Sequence, residues 1–138
     1  MIKLSKLTDY AVVILAQMAQ EKGALLSAST LSERAGLPEP TVSKILKLLG
    51  KAGIIESARG VSGGYRLDKL AENLPVTAII TAMEGPIALT ACVDDSEESC
   101  ALQGVCAMNG RWSPVNRALR AALENVTLAD MTGERRAA

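Results

Sequence analysis

Apolar positions recur at helical spacing over residues 8–21, where Ala11, Ile14, Leu15 and Met18 fall at i, i+3, i+4 and i+7. That stripe predicts an amphipathic helix with Thr8 or Ser5 as its N-cap, ended by Gly23. A second, short helix is expected at about residues 29–35, capped by Ser29 or Thr30 and turning Leu31 inward. Gly36 and Leu37 supply the apolar turn of a helix-turn-helix, while Pro38 and Pro40 suit the first turn of a third helix rather than its interior. From Thr41 to Ala52, Val42, Ile45, Leu46 and Leu49 make one face; Thr41, Ser43, Lys44, Lys47 and Lys51 make the other. Gly53 stops this helix and the period changes. Ile54 to Ala58 read as a strand, Gly60 to Gly64 as a glycine-rich tip and Tyr65 to Leu67 as the returning strand. A helix-turn-helix followed by a hairpin is a winged helix.

The helical period resumes at residues 75–83, with Val76, Ile79, Ile80 and Met83 as a buried face closed by Gly85 and Pro86. Residues 87–110 are too polar and irregular for a helix or a strand. Ser113 and Pro114 then form an N-cap and first-position pair, and Val115, Ala118, Leu119, Ala122 and Leu123 form an apolar stripe. A chain of 138 residues leaves little to bury that stripe against, so a dimerisation helix is expected, with packing inside the chain as the alternative. The expected fold class is mainly α with a small β-hairpin wing. Residues 1–86 form the winged helix-turn-helix, 87–110 a cysteine loop, 111–131 a long C-terminal dimerisation helix and a short following segment, and 132–138 a disordered tail.

The polar face of the third helix and the wing suggest contact with double-stranded DNA. Thr41, Ser43 and Lys44 are placed to read base edges, Glu39 to meet a cytosine amino group, and Lys47 lies on the same face. In the wing, Ser62 and Gly63 sit at a tip whose glycines allow close approach to the backbone, and Arg59 supplies the charge that a narrow minor groove attracts. The N-terminal ends of the second and third helices would accept phosphates through backbone N–H groups. The blander alternatives are a helical hairpin with a solvated lysine face and an Arg59 that is an ordinary turn residue.

Charge sharpens this division. The formal net charge is zero, yet residues 1–70 hold ten Lys/Arg against six Asp/Glu and residues 71–138 hold five against nine. The basic half is where a polyanion would bind. A hydrophobic content of 49% with only one Trp, two Tyr and no Phe implies a folded core of aliphatic side chains. Lys3 and Lys6 precede the apolar run Ala11 to Ala16, but Asp9 and Gln17 bound it and it is too short for a bilayer, so a cytoplasmic protein without a membrane partner is expected. No phosphate-binding loop or nucleophile elbow occurs and histidine is absent, so an enzyme is not expected.

The three cysteines lie together, as Cys92-x7-Cys100-x5-Cys106, with Asp94, Asp95, Glu97 and Glu98 between the first two. An odd count completes no disulfide framework, and without histidine the usual Cys/His zinc sets cannot be formed. Three thiolates with a borrowed fourth ligand suggest a metal or iron–sulfur site. The acidic neighbours would add negative charge beside it, or form a solvated loop surface.

Leu4-Ser5-Lys6-Leu7-Thr8-Asp9-Tyr10-Ala11, Ser32-Glu33-Arg34 before Gly36, the wing Arg59-Gly60-Val61-Ser62-Gly63-Gly64-Tyr65 and the three-cysteine loop together resemble the Rrf-type winged-helix iron–sulfur transcription regulators, which include IscR-, NsrR- and RirA-like proteins. The likeness covers about residues 1–131, and the first helix looks most similar to regulators of iron–sulfur assembly (SUF) operons. The resemblance implies a homodimeric, DNA-binding repressor that senses iron–sulfur cluster status and controls iron–sulfur assembly or iron homeostasis genes. Its cluster, 2Fe-2S or 4Fe-4S, would be held by Cys92, Cys100 and Cys106. IscR-like members place a histidine three positions after the last cysteine, where this chain has Asn109, a poor iron ligand. NsrR-like members use an aspartate near the start of the first helix, reaching across the dimer, and Asp9 matches it. Asp9 as a helix-start carboxylate, with Asp94, Glu97 or water as ligand instead, is the competing assignment. A thiol-redox or nitric-oxide responsive regulator of the same fold stays open, as does a metal-binding interaction or electron-transfer module without an operator.

Overall fold

The structure, a computed structural model, describes residues 1–133. Helix α1 (Lys6–Gln20) begins where the Ser5 hydroxyl accepts the Thr8 backbone N–H at 3.2 Å, and it buries Thr8, Ala11, Ile14, Leu15 and Met18. Helix α2 (Ala28–Ala35) starts earlier than its sequence suggests. Its cap is Ser27, whose hydroxyl accepts the Thr30 N–H at 3.0 Å, so Ser29 and Thr30 fall inside the helix. Gly36 ends it in the left-handed region, at φ 69°, where a Cβ would be strained. Helix α3 (Glu39–Lys51) has Pro40 in its first turn, where no intrahelical N–H is lost, and buries Val42, Ile45, Leu46 and Leu49 completely.

Strands β1 (Ile55–Ala58) and β2 (Gly64–Leu67) pair antiparallel with Ile55 opposite Leu67 and Ala58 opposite Gly64. Leu26, between α1 and α2, adds a third short edge: it exchanges two backbone hydrogen bonds with Tyr65, both 2.8 Å, and so ties the wing to the helical body. A 3-10 turn (Ala71–Asn73) leads to α4 (Val76–Glu84), which packs on α1 and α3. The loop from 85 to 112 contains turns and bends but no helix or strand.

Helix α5 (Ser113–Glu124) is 12 residues long, about 18 Å at 1.5 Å per residue, and shorter than a long C-terminal arm. It starts at Ser113 itself, and no side chain caps it. The chain then turns back: the Val126 carbonyl accepts the Val76 N–H and the Leu74 carbonyl accepts the Leu128 N–H, each at 2.8 Å. Helix α6 (Leu128–Met131), closed by a Thr127–Asp130 capping box, thereby puts Leu128 into the core of the winged domain with no exposure. Of the tail expected at 132–138, Thr132 and Gly133 form a turn and the remainder lies outside the described residues.

A single apolar cluster holds the winged domain, built from α1, Leu31, α3, Ile54, Ile55, Leu74, Ile79 and Leu128. At about 1.5–3 kcal/mol for each large aliphatic side chain removed from water, this burial is the main force that sets α3 against α1 and α4 and leaves its polar face outward. Helices α1 and α4 are also joined at their ends. Buried Thr8 donates its hydroxyl to the Glu84 carboxylate at 2.7 Å, so the hydroxyl enters the core paired rather than orphaned.

Candidate functional site

The polar face of α3 and the wing lie side by side. Ser43, Lys44 and Lys47 are exposed along the helix, Glu39 is exposed at its start and Thr41 is half-buried. A groove of about 720 Å³ separates helix and wing, lined by Ser43, Lys47, Gly50, Glu56, Ser57 and Tyr65. Among the described residues the ion pairs are Arg34–Glu21, Arg66–Glu56, Arg117–Asp94 and Arg120–Asp95, which leaves Lys44, Lys47 and Lys51 of α3 and Arg59 of the wing outside any ion pair, with Lys47 lining the groove. Unpaired cations need no internal bond broken before they meet phosphate.

The wing turn is tight for reasons internal to the protein. Gly63 donates its N–H to the Gly60 carbonyl at 3.0 Å, and a Cβ on Gly63 would lie 2.3 Å from the Ala58 carbonyl oxygen. One on Gly64 would lie 2.7 Å from the Leu26 carbonyl oxygen. These two glycines are therefore demanded by the hairpin and its third edge, whatever the tip approaches outside. Arg59 and Ser62 are exposed beside them. Cross-strand partners Glu56 and Arg66 form a pair that the sequence reading passed over, although their register follows from the hairpin once it is placed. The Arg66 guanidinium hydrogen-bonded to Glu56 Oε2, at 2.7 Å from its terminal nitrogen, holds that carboxyl below the usual carboxylate range.

The loop divides in two. In its first half Asn116, 2% exposed on α5, accepts the Leu89 N–H through Oδ1 and donates Nδ2–H to the Ile87 carbonyl, both at 2.9 Å. Asp95 pairs with Arg120 at 2.7 Å and Asp94 with Arg117 at 3.8 Å, while Val93 is buried. Of the four acidic neighbours of the cysteines, Asp95 thus fastens the loop to α5 through Arg120, while Asp94 stays largely in solvent beside Arg117. Cys92 is half-buried here. Its Sγ lies 3.2 Å from the Thr90 hydroxyl, and hydrogen bonds from Thr90 and then from the Gly110 backbone lower its thiol below the ordinary range. The second half, with half-buried Cys100 and exposed Cys106 and Asn109, is held by turn bonds: Gln103 N to Cys100 O, Cys106 N to Leu102 O and Asn109 N to Cys106 O.

By chemistry the donor set fits an iron–sulfur cluster. Three free thiols occur in one loop, none in a disulfide, on backbone that no helix or strand holds apart. Placement is a separate matter, since among the described residues no three Cys, Asp or Glu side chains converge as a metal-holding group. A metal takes up thiol sulfur as it displaces the proton, so binding and the gathering of these ligands are coupled. Asp9 is exposed in the first turn of α1, beside a pocket lined by Lys3, Val12, Ile79 and Met131. No helix among the described residues is long and apolar enough to cross a membrane.

A family model described as Rrf2, iron-dependent transcriptional regulator, matches residues 4–134. The HTH-type transcriptional regulator NsrR of Halalkalibacterium halodurans is 30% identical over 130 residues, which cover 94% of this chain and 89% of that one. Protein rrf2 of Nitratidesulfovibrio vulgaris is 32% identical over 106 residues, 77% of this chain and 70% of that one. Among solved structures, CymR (YrzC), the global cysteine regulator of B. subtilis, superposes with a TM-score of 0.74 at 26% identity, covering 99% of this chain and 100% of its own. IscR of T. potens gives a TM-score of 0.66 at 28% identity, covering 96% and 88%.

Proposed function

The chain belongs to the Rrf2 family of transcriptional regulators, and on that premise we propose that it is a homodimeric, cytoplasmic repressor whose hold on a DNA operator follows the state of an iron–sulfur cluster in its cysteine loop. Family membership makes it a DNA-binding regulator rather than an enzyme. In this reading α3 enters the major groove, Thr41, Ser43 and Lys44 read base edges, and Glu39 accepts from a cytosine amino group. Lys47 and Lys51, with the N-terminal ends of α2 and α3, take phosphates, while Arg59, Ser62 and Gly63 bring the wing to the minor groove.

Cys92, Cys100 and Cys106 would hold the cluster, with Asp9 of the second protomer as fourth donor in place of the unsuited Asn109. The cluster, 2Fe-2S or 4Fe-4S, supplies redox chemistry at a potential set by its protein surroundings. The rest belongs to the chain. The loop is fastened to α5, whose face bearing Val115, Ala118, Leu119, Ala122 and Leu123 is exposed or half-buried and would meet the second protomer. Two half-sites about 34–36 Å apart must be met together, so a change in the loop that shifts α5 changes the spacing of the two α3 helices. A coupling of about 1–3 kcal/mol would alter operator affinity roughly 5- to 150-fold. Control of iron–sulfur assembly or iron homeostasis genes is the matching output.

The observation that carries this reading is the fastening of a loop with three free thiols to the helix that presents the open apolar face. Anaerobic purification followed by visible absorption and iron and sulfide analysis tests it. Coloured protein is expected, with each of Cys92→Ala, Cys100→Ala and Cys106→Ala losing the absorption and Asp9→Ala losing it faster on standing. Three single variants that all keep their colour would overturn the ligand set. A second reading, a thiol-redox regulator, is favoured by the half-buried Cys92 thiol beside Thr90, whose hydrogen bond lowers it below the ordinary range. Its signature is a colourless protein without iron or sulfide that releases operator on peroxide treatment.

A further inference from the structure

The three thiols are not equally placed. Cys92 is bracketed by fastenings to α5: the Asn116 clasp on Ile87 and Leu89 before it, and the Asp95 pair with Arg120 after it. Its neighbour Val93 is buried at 5% exposure. Cys100 and Cys106, in contrast, lie on a stretch with local turn bonds, flanked by Leu102 and Val105 at 60% and 84% exposure. Asn116 makes the difference in kind. It is a buried amide with both ends satisfied by backbone of one loop, so moving that backbone orphans a donor and an acceptor at once.

Resting on the iron–sulfur reading above, we propose that Asn116 is a positioning residue that holds Cys92 to α5 before any cluster is present, so that assembly gathers Cys100 and Cys106 toward a first thiol already in place. The arrangement has a mechanical consequence. The loop segment that carries the fixed thiol is held to the helix whose other end reaches α4 through the Thr77–Glu124 hydrogen bond, so tension in the loop is delivered to α5 and from there to the winged domain.

The test begins with metal-free full-length protein, kept reduced and treated with iodoacetamide under native conditions, the three cysteines being followed separately by mass spectrometry. In Asn116→Ala the alkylation rate of Cys92 should rise at least fivefold while those of Cys100 and Cys106 stay within twofold. A uniform rise at all three would mean general loosening and would overturn the proposal, as would no change. Arg120→Ala, an exposed site tolerant of change, should raise Cys92 alone by at least twofold, and this settles the matter should Asn116→Ala fail to fold. The second arm uses protein reconstituted with ferrous iron and sulfide: Asn116→Ala should lose its visible absorption to EDTA about tenfold faster than wild type. Equal rates would overturn the positioning role alone. Wild type that takes up no iron and sulfide would overturn the iron–sulfur reading and the ligand role of Cys92 with it, while the alkylation pattern would still report the clasp.

Discussion

Arg59 and Arg66 are the two guanidinium groups of the wing, and only one is available. Arg66 is held by Glu56 across the hairpin, whereas Arg59 makes no ion pair among the described residues and stands exposed. A guanidinium entering a narrow minor groove gains from its focused negative potential, so Arg59→Ala should weaken operator binding about tenfold, roughly 1.4 kcal/mol. Lys69→Ala, beyond the end of β2, should change it by less than about twofold, well under 1 kcal/mol. Fluorescence anisotropy with a labelled operator duplex separates the two, and equal losses would sink the minor-groove assignment. Other residues were harder to foresee. Thr8 and Ser5 were both plausible caps, but Ser5 caps α1 while Thr8 is buried against Glu84, a partner 76 positions away. Asn116 carried no local signal, because its role lies in backbone 27 and 29 residues distant.

The wing shows how an element joins two demands. A glycine-rich tip is legible as a turn that can approach DNA, yet Gly63 and Gly64 are also required by backbone oxygens of Ala58 and Leu26 at distances no Cβ tolerates. Gly64→Ala should therefore push the Leu26 edge from β2 and cost about 1–3 kcal/mol of stability, read as a lower midpoint in urea denaturation. An unchanged midpoint would mean that the Leu26–Tyr65 bridge yields easily. Helix α5 divides its surface similarly. Its apolar stripe is evident from spacing, whereas the loop-holding face of Asn116, Arg117 and Arg120 reads as ordinary polar surface until the loop is laid upon it.

Across the whole molecule, charge is segregated by use. The basic excess of residues 1–70 includes Lys44, Lys47 and Lys51 on α3 and Arg59 in the wing, none in an ion pair among the described residues, while acidic Asp95 of the loop is bound to Arg120 of α5. The two phosphate-contacting lysines of each protomer, Lys47 and Lys51, doubled in a dimer, predict a slope of roughly −4 for log affinity against log salt concentration. Binding titrations between low and physiological salt check this, and a slope of about −2 would indicate that a single protomer makes the contacts. The return of the chain after α5, which buries Leu128 under α1, also makes α5 a strut anchored to the winged domain at its far end rather than a free arm.

Periodicity and turn residues determined the helix-turn-helix, the wing and the outward lysine face, and cysteine spacing alone marked the thiol loop, because each is written in one short stretch of chain. The location of helix α2's cap was within that same reach and still went to Ser27, since three candidate hydroxyls compete and only geometry chooses among them. Tertiary structure decided what holds the loop, which glycines the hairpin cannot lose, and which cations are free. Those answers depend on pairs far apart in the chain, Thr8 with Glu84, Leu26 with Tyr65 and Asn116 with Leu89. Local sequence encodes a preference for an element, but partnership between elements arises only when the core has closed and fixed which polar groups must satisfy one another.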